Sequence, residues 1–242
     1  DAWGGSLENR ARIHLEIIKK CREEVGNDFA ISIKMNSADF QKGGFSPEDS
    51  IQVAKLFSDS GIDNIEISGG TYEQPRLLGL DKVSINPKRS ENRKESTIAR
   101  EAYFLSYAEE IAKVVNIPLM VTGGFRTKEG MEAALADGAC EIVGVGRPLC
   151  ANPYAIKELL AGQIDELPKY EKTLSIGPWW LSPTSPFRLI QAINAFSAQA
   201  WFYQQIKKMG KGLMPDLNLK PWKAFREDAK ADQEAIKEYQ NF

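Results

Sequence analysis

Ile117-Pro118-Leu119-Met120-Val121-Thr122-Gly123-Gly124 and Cys140-Glu141-Ile142-Val143-Gly144-Val145-Gly146-Arg147 are the two stretches that decide the fold. Each is a short apolar run ending in glycine, the mark of a buried parallel strand whose C-terminal end opens into a tight turn. Between them Thr127 can start a helix and Gly138 can stop it. Two consecutive strand–glycine–helix units are how a barrel of alternating strands and helices builds a phosphate cup after its last two strands. The backbone N–H groups of Gly123, Gly124 and Gly146 can approach a phosphate closely, and Arg147 can add a forked, charge-assisted contact. The alternative is a pair of ordinary strand–helix turns with a solvated arginine.

The rest of the chain repeats the alternation. Ser6 can cap a helix over about Leu7 to Val25, with Ile13, Ile17, Cys21 and Val25 on one apolar face. Phe29 to Met35 reads as a strand, Ser46-Pro47-Glu48-Asp49 as a helix start running to Gly61, and Ile62 to Gly70 as a second strand. Thr71 to Glu95 is a long polar connection carrying Arg76, Lys82, Lys88, Arg89, Arg93 and Lys94. It is either a lid over the catalytic face or a solvated loop. A helix over Thr97 to Val115 places Tyr103, Tyr107, Ile111 and Val114 on its buried stripe, and another lies near Ala155 to Leu160. Four strand–helix units make an α/β chain with a parallel sheet. A closed barrel of this type needs eight strands, so four do not close it. Beyond about residue 165 come a Pro178-Trp179-Trp180 loop, a helix from Pro186 to Met209 for packing on the barrel or a partner, and a charged helix from Pro221 to Tyr239.

Composition narrows the function. The 242 residues are 43% hydrophobic, enough for a core. A formal charge of -2 and a pI near 5.7 argue against a nucleic-acid or membrane-surface protein. Cys21, Cys140 and Cys150 show no C-x-x-C spacing and read as free thiols, the first two buried, in a reducing compartment; no metal site is expected. No apolar run has signal-peptide or membrane-spanning character, so a cytoplasmic location is expected.

Asp1-Ala2-Trp3-Gly4-Gly5-Ser6-Leu7-Glu8-Asn9-Arg10 closely resembles the D-x-[YW]-G-G-S-x-x-N-R signature of the old yellow enzyme family of flavin mononucleotide oxidoreductases. Ile33-Lys34-Met35-Asn36-Ser37-Ala38-Asp39-Phe40, Glu66-Ile67-Ser68-Gly69-Gly70-Thr71-Tyr72, Thr122-Gly123-Gly124-Phe125 and Gly144-Val145-Gly146-Arg147-Pro148-Leu149 fall in the family's order. The chain is most similar to the NADH:flavin oxidoreductase/NADH oxidase branch. The resemblance implies a (β/α)8 TIM barrel of which residues 1–165 hold strands five to eight, with 166–242 a C-terminal helical extension. It implies FMN as cofactor, NAD(P)H as reductant and a small-molecule acceptor such as an activated alkene. It also implies that Lys34 acts catalytically as the cation beside the flavin ring, a fixed charge that stabilises the reduced anion. Lys34 as a solvent-reaching strand-end lysine is the alternative. Gly123, Gly124, Gly146 and Arg147 match the family's phosphate grip. The histidine pair that holds the substrate in the family belongs to the fourth strand and has no counterpart here. His14, the single histidine, falls mid-helix. The expectation is therefore a half-barrel fragment, inactive alone, that forms a homo-oligomer or pairs with a missing N-terminal half. A silent half-barrel partnering another chain, or another FMN barrel such as a dihydroorotate-dehydrogenase-like enzyme, are the other readings.

Overall fold

Strand follows helix along the first part of the chain because each apolar run is bracketed by a helix cap. The computed structural model describes residues 1–39, 43–69 and 104–240. Helix α1, Leu7–Val25, starts where Ser6 accepts a hydrogen bond from the Asn9 N–H and stops at Gly26. Strand β1, Ser32–Asn36, follows. Ser46 caps α2, Pro47–Asp59, by accepting from the Asp49 N–H at 3.1 Å, and Pro47 occupies the first turn, where its missing N–H costs nothing. Then come β2, Asn64–Ser68, α3, Leu105–Ala112, and β3, Leu119–Thr122. Helix α4, Lys128–Ala136, is capped by Thr127. Strand β4 is Ile142–Gly144. The four strands pair in parallel in the order β1-β2-β3-β4. The registers align Lys34 with Glu66, Glu66 with Met120 and Met120 with Ile142.

The described residues divide into two compact units, 1–69 with 104–145, and 146–240. In the first, Ile65, Ile67 and Val121 are fully buried against Val53, Ala54 and Phe57 of α2, Leu105, Ala108 and Ile111 of α3 and Ala134 of α4. The helices cover one face of the sheet. Four adjacent parallel strands with helices on that face are the strand–helix units of a (β/α)8 barrel.

The second unit is helical: α5, Arg147–Ala151, α6, Ala155–Leu160, α7, Arg188–Gly210, and α8, Pro221–Gln240. Its core gathers Ala151, Leu174, Ala200, Trp201 and Ala224, and the Trp201 indole N–H donates to the Leu219 carbonyl at 2.9 Å. Buried Asn194 binds the loop before α7, accepting from the Ile176 N–H and donating to the Leu181 carbonyl. Along α7 Trp201 is buried, whereas Phe196, and Phe187 at its N-cap, are exposed.

Several expectations need correcting. On α1 the buried residues are Ala11 and Ile18, while Ile13, Ile17, Cys21 and Val25 are exposed. The helix carries two apolar stripes, and the one with the small alanine turns inward, where His14 stacks tilted on Phe57 at 5.9 Å. Cys21 is thus not a buried thiol. Cys140 is, and burial pushes it up to about 11; burial also raises half-buried Cys150. The strands are shorter than their apolar runs: Phe29 is exposed ahead of β1, and Cys140 precedes β4. On α3 the fully buried stripe is Leu105, Ala108 and Ile111, with Tyr107 and Val114 only partly covered. The connection Thr71 to Glu95, with its six basic residues, and Tyr103 lie outside the described residues.

Candidate active site

The C-terminal edge of the sheet is built from serine, threonine and glycine. β1 runs into Ser37, whose N–H donates to the Ser68 carbonyl at 2.7 Å; β2 ends in Ser68 and Gly69, β3 in Thr122. Gly123 and Gly124 follow with φ of 120° and 93°, backbone that a side chain disfavours, so the turn after β3 depends on glycine. At Gly144 a Cβ would lie 1.8 Å from Thr122 Oγ1 and 2.8 Å from Met120 Cε. The Thr122 hydroxyl fills the space a side chain would take. Ser37 Oγ and Thr122 Oγ1 are both buried and meet no hydrogen-bond partner among the described residues. Buried hydroxyls left unpaired cost roughly 1–3 kcal/mol each, so a polar ligand at this edge gains by pairing them.

Lys34 stands one turn of the pleat below that edge, on the sheet face opposite the helices. Its Nζ donates to Glu66 Oε1 at 2.6 Å across the β1–β2 pair. Below it, the Ser32 hydroxyl donates to Asn64 Oδ1 at 2.7 Å on the same face. In the same row as Lys34 are Glu66, Met120 and Ile142. Lys34 is therefore neither core nor a free solvent lysine: it is 55% exposed and tied to a carboxylate that is 19% exposed.

The five residues expected to hold a cofactor divide between the units. Lys34, Gly123 and Gly124 lie in the first, and Gly146 and Arg147 open the second. Within the first unit β2 separates Lys34 from the glycine turn. Gly146 is the N-cap of α5 with a negative φ and open space where a Cβ would be, so room and not backbone strain is what glycine supplies there. Arg147 is the first residue of that helix, which the sequence reading did not anticipate. Its Nη1 lies 3.7 Å from Glu171 Oε1, on the short turn Tyr170–Lys172, and the two side chains help line a cavity of about 80 Å³ with Gln191, Asn194 and Phe202.

Glu66, Ser37, Thr122 and Gly144 lie in the motifs quoted from the sequence but were given no role of their own, although Glu66 inside an apolar run was a visible signal. Arg126, 6% exposed beside the glycine turn and donating to the Phe125 carbonyl at 2.7 Å, is a further buried cation missed. Among the described residues no group of three His, Cys, Asp or Glu side chains gathers as for a metal, and no helix is long and apolar enough to cross a membrane. The Lys34 ammonium below this edge, the unpaired Thr122 hydroxyl and the N–H groups of the glycine turn are the kinds of donor that FMN, with its ring carbonyls and phosphate as acceptors, requires.

Comparison with known proteins gives the family. Residues 1–166 match the NADH:flavin oxidoreductase / NADH oxidase family. The chain is 40% identical over 165 residues to the NADH-dependent flavin oxidoreductase iliE of Hypocrea jecorina (strain QM6a), covering 66% of this chain and 38% of that protein. It is 34% identical over 209 residues to the NADH oxidase of Thermoanaerobacter brockii, covering 86% of this chain and 30% of that one. Among solved structures, a 2-naphthoyl-CoA reductase in complex with 2-naphthoyl-CoA matches with a TM-score of 0.55 and 30% identity over 69% of this chain and 24% of that chain. The chain thus spans less than half the length of these relatives.

Proposed function

The chain belongs to the NADH:flavin oxidoreductase / NADH oxidase family, and from that premise we propose that it forms strands five to eight of the barrel of an FMN-dependent NAD(P)H oxidoreductase of the ene-reductase kind. Residues 1–165 are the C-terminal half of that barrel and 166–242 a helical extension. The observation that carries this is the sheet's open face: it presents Lys34 in a row below an edge that holds the glycine turn and the unpaired Thr122 hydroxyl. When bound, FMN supplies a two-electron carrier between the nicotinamide and an acceptor such as an activated alkene. Lys34 would be the residue that holds positive charge by the ring, where reduction accumulates negative charge. The N–H groups of Gly123 and Gly124, and separately the Gly146 N–H with the Arg147 guanidinium, would be the groups that take phosphate oxygens. Small residues at the edge would leave room for a flat ring.

Substrate activation comes from elsewhere. The family's histidine pair has no counterpart here, since the one histidine, His14, lies on α1 against Phe57. The chain alone is therefore inactive and completes its site with the other half of the barrel. Exposed Ile13, Ile17, Val25 and Phe29 give it apolar surface, so alone it self-associates; sedimentation as a well-behaved monomer would contradict this.

The test of the site is FMN affinity in the full-length protein that carries this chain. Arg147→Ala weakens binding by about 1.5–3 kcal/mol, the worth of a charged hydrogen bond. Gly124→Val does comparable damage by forcing a side chain onto backbone at φ 93°. Wild-type affinity in both variants sinks the assignment.

A further inference from the structure

We infer that Glu66 is a positioning residue for Lys34: it aims the ammonium and partly neutralises it, and so sets how strongly that cation favours a reduced flavin. The inference rests on the reading of Lys34 given above, and it adds a residue which that reading does not contain.

Three observations carry it. The register puts Lys34 directly opposite Glu66, and parallel pairing sends both side chains to the same face. The contact is close, Nζ to Oε1 at 2.6 Å, well inside charge-assisted hydrogen-bond range. The carboxylate is also anchored: Ile65 and Ile67 on either side of it are fully buried in the helix-covered core, which fixes the backbone from which it projects. Lys34 has four rotatable bonds and a 55% exposed side chain, so without a fixed partner its ammonium would sample many positions. In the same row the next residues are Met120 and Ile142, which bring no charge.

An ordinary cross-strand ion pair would contribute a little stability and nothing more. What separates the two roles is the flavin's electronics. A carboxylate against the ammonium offsets part of its field at the ring, so removing the carboxylate's charge should make reduction easier, while removing the ammonium should make it harder. Glu66 should act through Lys34 alone.

The experiment measures the FMN midpoint potential, and the affinity for sulfite, in the full-length holoprotein. Sulfite donates an electron pair to flavin N5 and leaves negative charge at N1, so its affinity reports positive charge near N1. Glu66→Gln should raise the potential and tighten sulfite by about tenfold, the size of effect one nearby charge has on an ionisation. Lys34→Met should lower the potential and weaken sulfite. The double variant should match Lys34→Met. An unchanged or lowered potential in Glu66→Gln, with Lys34→Met shifted as expected, overturns the inference and leaves the reading of Lys34 standing. So does an equal rise in both backgrounds, because Glu66 would then act on the flavin directly. No shift in Lys34→Met overturns both. Should Glu66→Gln not fold, Glu66→Ala, which also removes the carboxylate's charge, is scored by the same criteria.

Discussion

On the helix-covered face of the sheet Ile65, Ile67 and Val121 lose all contact with solvent, and Leu119 retains almost none. On the other face of the same strands stand Lys34, Glu66, Met120 and Ile142, with Lys34 more than half exposed and Ile142 42% exposed. A two-residue period produces both sets from one backbone. The covered face supplies hydrophobic stability, roughly 1.5–3 kcal/mol for each fully buried side chain of this size. The open face contributes little to this unit's stability and carries the one charged pair of the sheet's central row. What holds the chain together and the proposed site are thus separated by the thickness of a β-strand.

The largest expected effect tests the covered face. Ile67→Ala removes a fully buried side chain facing α2 and α3, and should destabilise the chain by about 2–5 kcal/mol, as core truncations to alanine do. Chemical denaturation measures it. A loss under about 1 kcal/mol would mean that the helices do not seal this face as described.

A smaller effect is expected where the helix layer is tied to the sheet. Arg22 on α1 donates to the carbonyls of Gly26, Phe29 and Gly61 and to Asp63 Oδ2 at 2.6 Å, joining the end of α1 to the entries of β1 and β2. The Ile31 N–H, and then the Arg22 guanidinium, hold the Asp63 carboxyl below its ordinary value of 3.8. A lowered folded value means that the unfolded chain binds more protons as acid is added. Asp63's contribution is therefore complete above pH 3.8 and is lost as pH falls through the folded value. Arg22→Ala should cost about 1.5–3 kcal/mol at neutral pH, the worth of hydrogen bonds to a charged group. The gap from wild type should narrow in denaturation curves taken below pH 3.8. A gap independent of pH would place the clamp's strength in the carbonyl contacts alone.

Much of the covered face is legible in the sequence. Ser6, Ser46 and Thr127 announce their helices, and each accepts the cap hydrogen bond that its residue type allows. The strands are legible as apolar runs, although Cys140 and Phe29 show that a run outlasts the paired segment. The orientation of α1 was not legible: Ile13, Ile17, Cys21 and Val25 form a good stripe, and only tertiary packing decides that Ala11 and Ile18 turn inward instead. Of the candidate site, Lys34 and the glycines could be nominated by motif. Glu66 could not be given a role, because its meaning depends on strand register, which links residues 32 positions apart. That the buried Ser37 and Thr122 hydroxyls go unpaired has no sequence signal, since an unpaired polar atom is a property of what surrounds it.

The smallest effect bears directly on the open face. Ile142 sits at the edge strand, in the row of Lys34, and keeps 42% of its surface. Truncating a side chain that exposed removes few contacts, so Ile142→Ala in this chain alone should change stability by no more than about 0.5 kcal/mol. In the full-length protein the remaining strands would cover this face, and the same truncation should then cost about 2 kcal/mol or more, as burial in a packed interior requires. The difference between the two measurements reads out how much of the open face is interior in the complete barrel. Equal small losses in both would mean that nothing closes over Lys34, and the half-barrel proposal would fail with its flavin site. Equal large losses would mean that the face is already covered within this chain, and the contrast between the two faces would disappear.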